Sequence, residues 1–120
     1  MKIGRSYTFA AAHHLPNVPP GHKCGNVHGH TYTLDVELEG EPNPVAGWLI
    51  DFADLDALVK RVVLLPLDHT DLNDTFPNPT SELLVVWIWE MLSAADWPVG
   101  VGLQRVRLSE SAYSWAEIEW

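Results

Sequence analysis

The chain has 120 residues, 47% of them hydrophobic, which suits a single domain over 1–120 with a real core. Seven basic against sixteen acidic residues leave a net charge of −9, which argues against non-specific binding to nucleic acid or an anionic membrane. One cysteine excludes an intrachain disulfide and points to a reduced, cytoplasmic setting, and no apolar run suits a signal peptide or a membrane span. The basic residues form no long run, so an anionic substrate would have to be met by a local cluster. Six tryptophans are many for this length, and several are expected to pack between subunits.

Residues 2–10 read as a first strand, with Ile3, Arg5, Tyr7 and Phe9 on one face. The small residues Ala10, Ala11 and Ala12 precede His13 and His14 and permit close packing there. Leu15 to Gly21 holds three prolines and a glycine and is a loop, which returns the chain through His22 and Lys23 to Cys24. In the segment 31–39 every even position is apolar or aromatic and every odd position polar, the alternation of a half-buried strand. His28 and His30 share the parity of Tyr32, Leu34, Val36 and Leu38, so both imidazoles are expected on the buried face, about 6–7 Å apart along the strand.

Five of the six histidines fall between positions 13 and 30, a density that points to a metal. Neutral imidazole suits zinc and related ions. His28, His30 and one of His13 or His14 would make three histidines with an open position, the pattern of a catalytic zinc site. Spacing leaves two roles open for Cys24. It could be a fourth ligand that closes the site, or a reactive thiol beside it, since a neighbouring cation favours the thiolate.

Residues 40–47 read as a turn and Trp48 to Phe52 as a short strand, forming a hairpin with 31–39. A helix follows, with Asp54 expected as its N-cap and Leu55, Leu58, Val59 and Val62 on one face; Pro66 is expected to stop it. Asp68 and His69, in the next polar patch, are either an orienting carboxylate with a general acid or base, or part of a solvated turn. A second helix starts near Asn78–Glu82, capped by Asn78 or Thr80. It is apolar from Leu83 to Leu92 around most of its girth and so requires cover on more than one side. Val101–Leu108 and Tyr113–Trp120 read as two final strands, and Glu110 sits near their turn. No β-α-β-α alternation occurs, so the fold class is α+β: an antiparallel sheet with two helices on one face.

Six motifs then fall in a familiar order: Phe9-x-Ala11-Ala12-His13, Gly21–Gly25, His28-Gly29-His30, Gly47–Phe52, Leu67-Asp68-His69 and Asn78–Glu82. Together they span nearly the whole chain. It resembles the 6-pyruvoyltetrahydropterin synthase family, and most closely its bacterial branch, the 6-carboxytetrahydropterin synthases of queuosine biosynthesis. The resemblance implies the tunnelling fold, a four-stranded antiparallel sheet with two helices. Trimers of it close their sheets into a barrel and pair into a homo-hexamer, with active sites at subunit interfaces. It implies His13, His28 and His30 as zinc ligands, with His14 not a ligand, and Cys24, Asp68 and His69 as catalytic residues acting across a subunit boundary. It implies Glu110 as the pterin anchor, whose carboxylate suits the paired donors of the pterin edge, with Thr80, Ser81 and Glu82 as further pterin contacts. The implied reaction acts on a pterin triphosphate, 7,8-dihydroneopterin triphosphate. Charge alone suggests Lys23, and then Arg105 or Arg107, as partners of the triphosphate. Two other readings stand beside this one: the sister 6-pyruvoyltetrahydropterin synthase activity, and a non-catalytic zinc- or pterin-binding protein.

Overall fold

The computed structural model describes residues 1–120, and its centre is a long antiparallel hairpin of β1 (Lys2–His13) and β2 (His28–Gly40). Alternation in the sequence dictates the packing: Tyr32, Leu34, Val36 and Leu38 are fully buried, and the residues between them are not. β4 (Val101–Ser111) pairs with the other edge of β2, and β5 (Ser114–Glu119) with β4, all antiparallel. These are the four expected strands. A fifth, β3, of only two residues (Thr70–Asp71), adds in parallel to the outer edge of β1, giving the order β3-β1-β2-β4-β5.

The expected strand at 48–52 does not form. The Asn43 side chain accepts from the Val45 and Ala46 N–H groups, and the Asn43 N–H donates to the Trp48 carbonyl at 2.8 Å, so the segment folds on itself. Both edges of β2 are already taken by β1 and β4, so Leu49 and Ile50 are buried without pairing. Asp51, not Asp54, caps the first helix: its carboxylate accepts from the Ala53 N–H at 2.9 Å. That helix, α1 (Phe52–Val59), runs on through a π turn (Lys60–Leu64) into a last turn (Leu65–Leu67). Pro66 therefore does not stop it. The wider π turn eases the proline ring past the preceding carbonyl, and the helix ends only after Leu67.

The second helix, α2 (Ser81–Ser93), is capped by Thr80, whose Oγ1 accepts from the Leu83 N–H at 3.2 Å. Leu84, Val85, Ile88 and Leu92 are buried against the sheet, while Leu83, Val86 and Met91 on its other sides are exposed. Its surplus of apolar surface therefore stays uncovered within one protomer, and none of the six tryptophans is buried. A single cluster of 19 buried residues joins both helices to one face of the sheet. On the opposite face Arg105 pairs with Glu37 and Glu117, and Arg107 lies 3.9 Å over the Trp115 ring.

Candidate metal centre and pocket

At the end of the β1–β2 hairpin the register sets His13 opposite His28 and Ala11 opposite His30. With its small side chain, Ala11 leaves the face beside His30 uncrowded, and the three imidazoles converge. Their ring centroids lie 4.6, 5.0 and 4.9 Å apart, and one nitrogen of each falls within 4.8 Å of the others. Hydrogen bonding selects which nitrogens are free. His13 Nδ1 donates to the Pro79 carbonyl at 2.7 Å, and His28 Nδ1 to the Asn26 carbonyl at 2.7 Å. Both bonds commit Nδ1 as the donor and leave Nε2 as the nitrogen that can face a metal. His13 is 1% exposed, and the Nε2 atoms of His13 and His30 are buried with no hydrogen-bond partner. Burial, helped by the neighbouring His13 and His28 and opposed by Glu110, holds His30 below the usual histidine pKa, which favours the neutral ring. Three converging imidazoles, two of them with an Nε2 that has no hydrogen-bond partner, fit a divalent ion of the zinc class. Of the two candidate histidines in the pair, His13 faces the cluster and His14 does not belong to it.

The trio opens onto a cavity of about 450 Å³ lined also by Leu15, Lys23, Cys24 and Glu110. Cys24 sits half-buried in a single helical turn, Lys23–Gly25, whose N-cap is the His22 side chain. It lines the cavity but is not one of the clustered ligands. Glu110 points in from β4, with Oε2 3.9 Å from His30 Nε2 and Oε1 accepting from the Ser81 hydroxyl at 2.5 Å. Tyr32, buried below, has its phenol pKa pushed up by burial and then by the Glu110 charge.

The structure separates the three residues Thr80, Ser81 and Glu82. Thr80 is spent on the helix cap, Ser81 is buried against Glu110, and Glu82 is exposed on the first turn. Among lysines and arginines only Lys23 lines the cavity; Arg105 and Arg107 are engaged on the other face of the sheet.

Asp68 and His69 lie elsewhere in the protomer. His69 lines a second, shallower concavity with Ala10–Ala12, Gly29, His30, Thr31, Thr70 and Asp71. The pair is in contact, with His69 Nδ1 2.9 Å from Asp68 Oδ1. The Ala10 N–H, donating at 2.9 Å, and then His69 hold the Asp68 carboxyl below its ordinary pKa. His69 is the one non-glycine residue with a left-handed backbone, φ 58°. One protomer therefore does not bring Asp68 and His69 onto the cavity that Cys24 lines.

Sequence reasoning missed Pro79 and Asn73. The Pro79 carbonyl orients His13, and the Asn73 side chain bonds both peptide groups of His14. Neither residue carries a local signal for this role. Their partners lie 66 and 59 positions away.

Architecture and site together define a small α+β protein with a three-histidine centre able to hold a metal ion at the mouth of a thiol-lined pocket. The family model described as 6-pyruvoyl tetrahydropterin synthase matches residues 2–120, and the chain belongs to that family. An Archaeoglobus fulgidus protein, provisionally named 6-carboxy-5,6,7,8-tetrahydropterin synthase, is 41% identical over 119 residues, covering 98% of this chain and 95% of its own. A dihydroneopterin monophosphate aldolase of Pyrococcus furiosus is 39% identical over 94 residues, covering 78% of this chain and 79% of its own. The solved structure of Caenorhabditis elegans 6-pyruvoyl tetrahydropterin synthase superposes with a TM-score of 0.86 at 26% identity, covering 100% of this chain and 95% of that one. The fold is the tunnelling fold that the motifs implied, with the two-residue β3 as an addition. No helix is long and apolar enough to cross a membrane.

Proposed function

We infer that the protein is a cytoplasmic, zinc-dependent carbon–carbon lyase. It would convert 7,8-dihydroneopterin triphosphate and water to 6-carboxy-5,6,7,8-tetrahydropterin, acetaldehyde and triphosphate, as in queuosine biosynthesis. The observation that carries this reading is the convergence of His13, His28 and His30 with Cys24 and Glu110 on one cavity. Zinc held by the three histidines would supply Lewis acidity toward the side-chain hydroxyls of the substrate. Glu110 would accept the paired N–H donors of the pterin edge, held in place by the Ser81 hydroxyl. The pterin side chain would then lie toward the cavity mouth, where Cys24 as thiolate would take a proton from the side-chain carbon next to the ring. Asp68, anionic and tied to β1, orients His69 as the partner in proton transfer.

Asp68 and His69 do not line the cavity that Cys24 lines, so a second copy would supply them. This supports the homo-hexamer of paired trimers, with barrel-forming sheets and active sites at subunit interfaces. The exposed apolar side of α2 and the exposed Trp115 and Trp120 would be covered in that assembly.

One observation favours a second reading. A triphosphate carries several negative charges, and the cavity offers only Lys23. A pterin with a single phosphate, the substrate named for the Pyrococcus relative, matches that supply of charge better unless the second copy adds cations. Zinc-loaded protein should be incubated with dihydroneopterin triphosphate and, separately, with the monophosphate, assaying acetaldehyde and pterin product together. Acetaldehyde with a carboxypterin from the triphosphate establishes the first reading. A retained pyruvoyl chain means the sister synthase, and turnover of the monophosphate alone means the second reading. Cys24→Ala should keep its metal and lose turnover; if the metal is lost with the thiol, Cys24 is a ligand in a binding protein.

A further inference from the structure

The strip that follows the first helix is laced to the end of β1 step by step. Asp68 Oδ1 accepts from the Ala10 N–H at 2.9 Å, and the His69 N–H donates to the Ala10 carbonyl at 2.6 Å. Thr70 and Asp71 then pair with Ala11 and Ala12 as β3. The ladder stops one residue short of His13, and the chain turns away through a short helical turn, Leu72–Asp74. On that turn the Asn73 carboxamide reaches back. Its Oδ1 accepts from the His14 N–H at 2.8 Å, and its Nδ2 donates to the His14 carbonyl at 3.0 Å. One side chain thus satisfies both backbone groups of His14, as a neighbouring strand would. Only a carboxamide offers a donor and an acceptor in that geometry.

Asn73 is itself held rigidly. Its N–H donates to Asp71 Oδ1 at 3.0 Å, and Leu72 before it is buried in the core. On the other side of His14, the Leu15 N–H donates to the Cys24 carbonyl at 2.7 Å. A short run of covalent and hydrogen bonds therefore leads from Asn73 through His14 and Leu15 to Cys24, with His13 one residue before it. The His13 ring is tethered separately, by its Nδ1–H to Pro79. Its backbone, at the last residue of β1, is paired with β2 on one side only.

We propose that Asn73 is a positioning residue of the metal centre. Its carboxamide fixes the His14 peptide, which sets the backbone from which His13 is aimed and, through Leu15, the placement of Cys24 beside the trio. Asn73 touches neither the metal nor the substrate. The proposal rests on the reading of the three histidines as a metal site. A comparison within the same strand separates positioning from plain stability. Near its other end β1 is stitched to the first helix by Arg5, which pairs bidentately with Asp56 at 2.8 and 3.2 Å, and that clamp does not touch the histidines.

The test titrates cobalt(II), whose visible absorption reports ligand geometry, into the metal-free full chain. Wild type, Asn73→Ala, Asn73→Asp and Arg5→Ala are compared, with thermal unfolding of each metal-free chain alongside. Asn73→Ala should weaken cobalt affinity by roughly 10- to 100-fold, the usual consequence of losing an outer-shell partner, and alter the absorption spectrum. Asn73→Asp keeps the acceptor and loses the donor, and should fall between. Arg5→Ala should lower the Tm and leave cobalt affinity and spectrum unchanged. If Asn73→Ala lowers the Tm yet binds cobalt as wild type does, the positioning role is overturned alone. If Asn73→Ala does not fold, Asn73→Asp decides by the same comparison. A wild-type chain that takes up no cobalt overturns the metal reading together with the proposal.

Discussion

Replacing Ser81 with alanine should weaken pterin binding without touching the metal. Ser81 is 5% exposed, and its hydroxyl donates to Glu110 Oε1 at 2.5 Å. A hydrogen bond to a charged acceptor is worth about 1.5–3 kcal/mol. The Glu110 side chain is 28% exposed, so water replaces part of what is lost and the lower figure applies. Unfolding entropy of about 2.1 cal/mol/K per residue converts a loss of about 1.5 kcal/mol into a Tm lower by about 6 °C for a chain of this size. If the same freedom is returned to Glu110 when it must meet the pterin edge, the pterin Kd rises about tenfold. Fluorescence titration with neopterin, beside a cobalt titration, reads both quantities. Thr80→Ala is the control: it removes a helix cap worth about 1 kcal/mol and should leave pterin affinity unchanged. A Ser81→Ala protein that melts earlier but binds neopterin as tightly as wild type would refute the reasoning, and Ser81 would then be a packing residue.

Zinc at a hundred times its Kd should stabilise the protein by about 2.7 kcal/mol, raising Tm by about 10 °C. A chelator should reverse this, His13→Ala should abolish it, and an unshifted melting curve would count against a three-histidine site. His69→Gly should abolish turnover and leave the Tm within a few degrees of wild type, because glycine adopts φ 58° without the strain a side chain brings. A large fall in Tm would mean that the His69 side chain is structural. The Tyr7 hydroxyl and then Arg5 hold the Asp56 carboxyl below its ordinary pKa. Its folded value is depressed, so its contribution to stability is present above about pH 4 and lost as pH falls through the lower folded value. Asp56→Asn should therefore flatten the acid limb of a Tm-against-pH profile; an unchanged limb would show that the clamp carries no weight there.

Much of the protein was legible in the chain because its determinants are local. Alternation through 31–39 placed His28 and His30 on the buried face before any contact was known, and the strand carries them there. The density of histidines between 13 and 30 pointed to a metal, and the order of motifs to the family. Local signals misled where a neighbour decided the outcome. Trp48-Leu49-Ile50 has the composition of a strand, yet both edges of β2 were occupied, so it was buried without pairing. Pro66 is a helix breaker that a π turn accommodates.

What only the tertiary structure decided lies in contacts between residues far apart in sequence. Spacing left His13 and His14 open and the resemblance implied His13; the register brings the His13 ring, not that of His14, into the cluster. Pro79 selects the His13 tautomer from 66 positions away, and Ser81 holds Glu110 from 29. His69, in contact with Asp68, proved to line a different concavity from Cys24. The chain carries its ligands, caps and strand faces in short-range patterns. Which nitrogen is free and which carboxylate is held depend on backbone groups brought together by folding, which no period or spacing encodes.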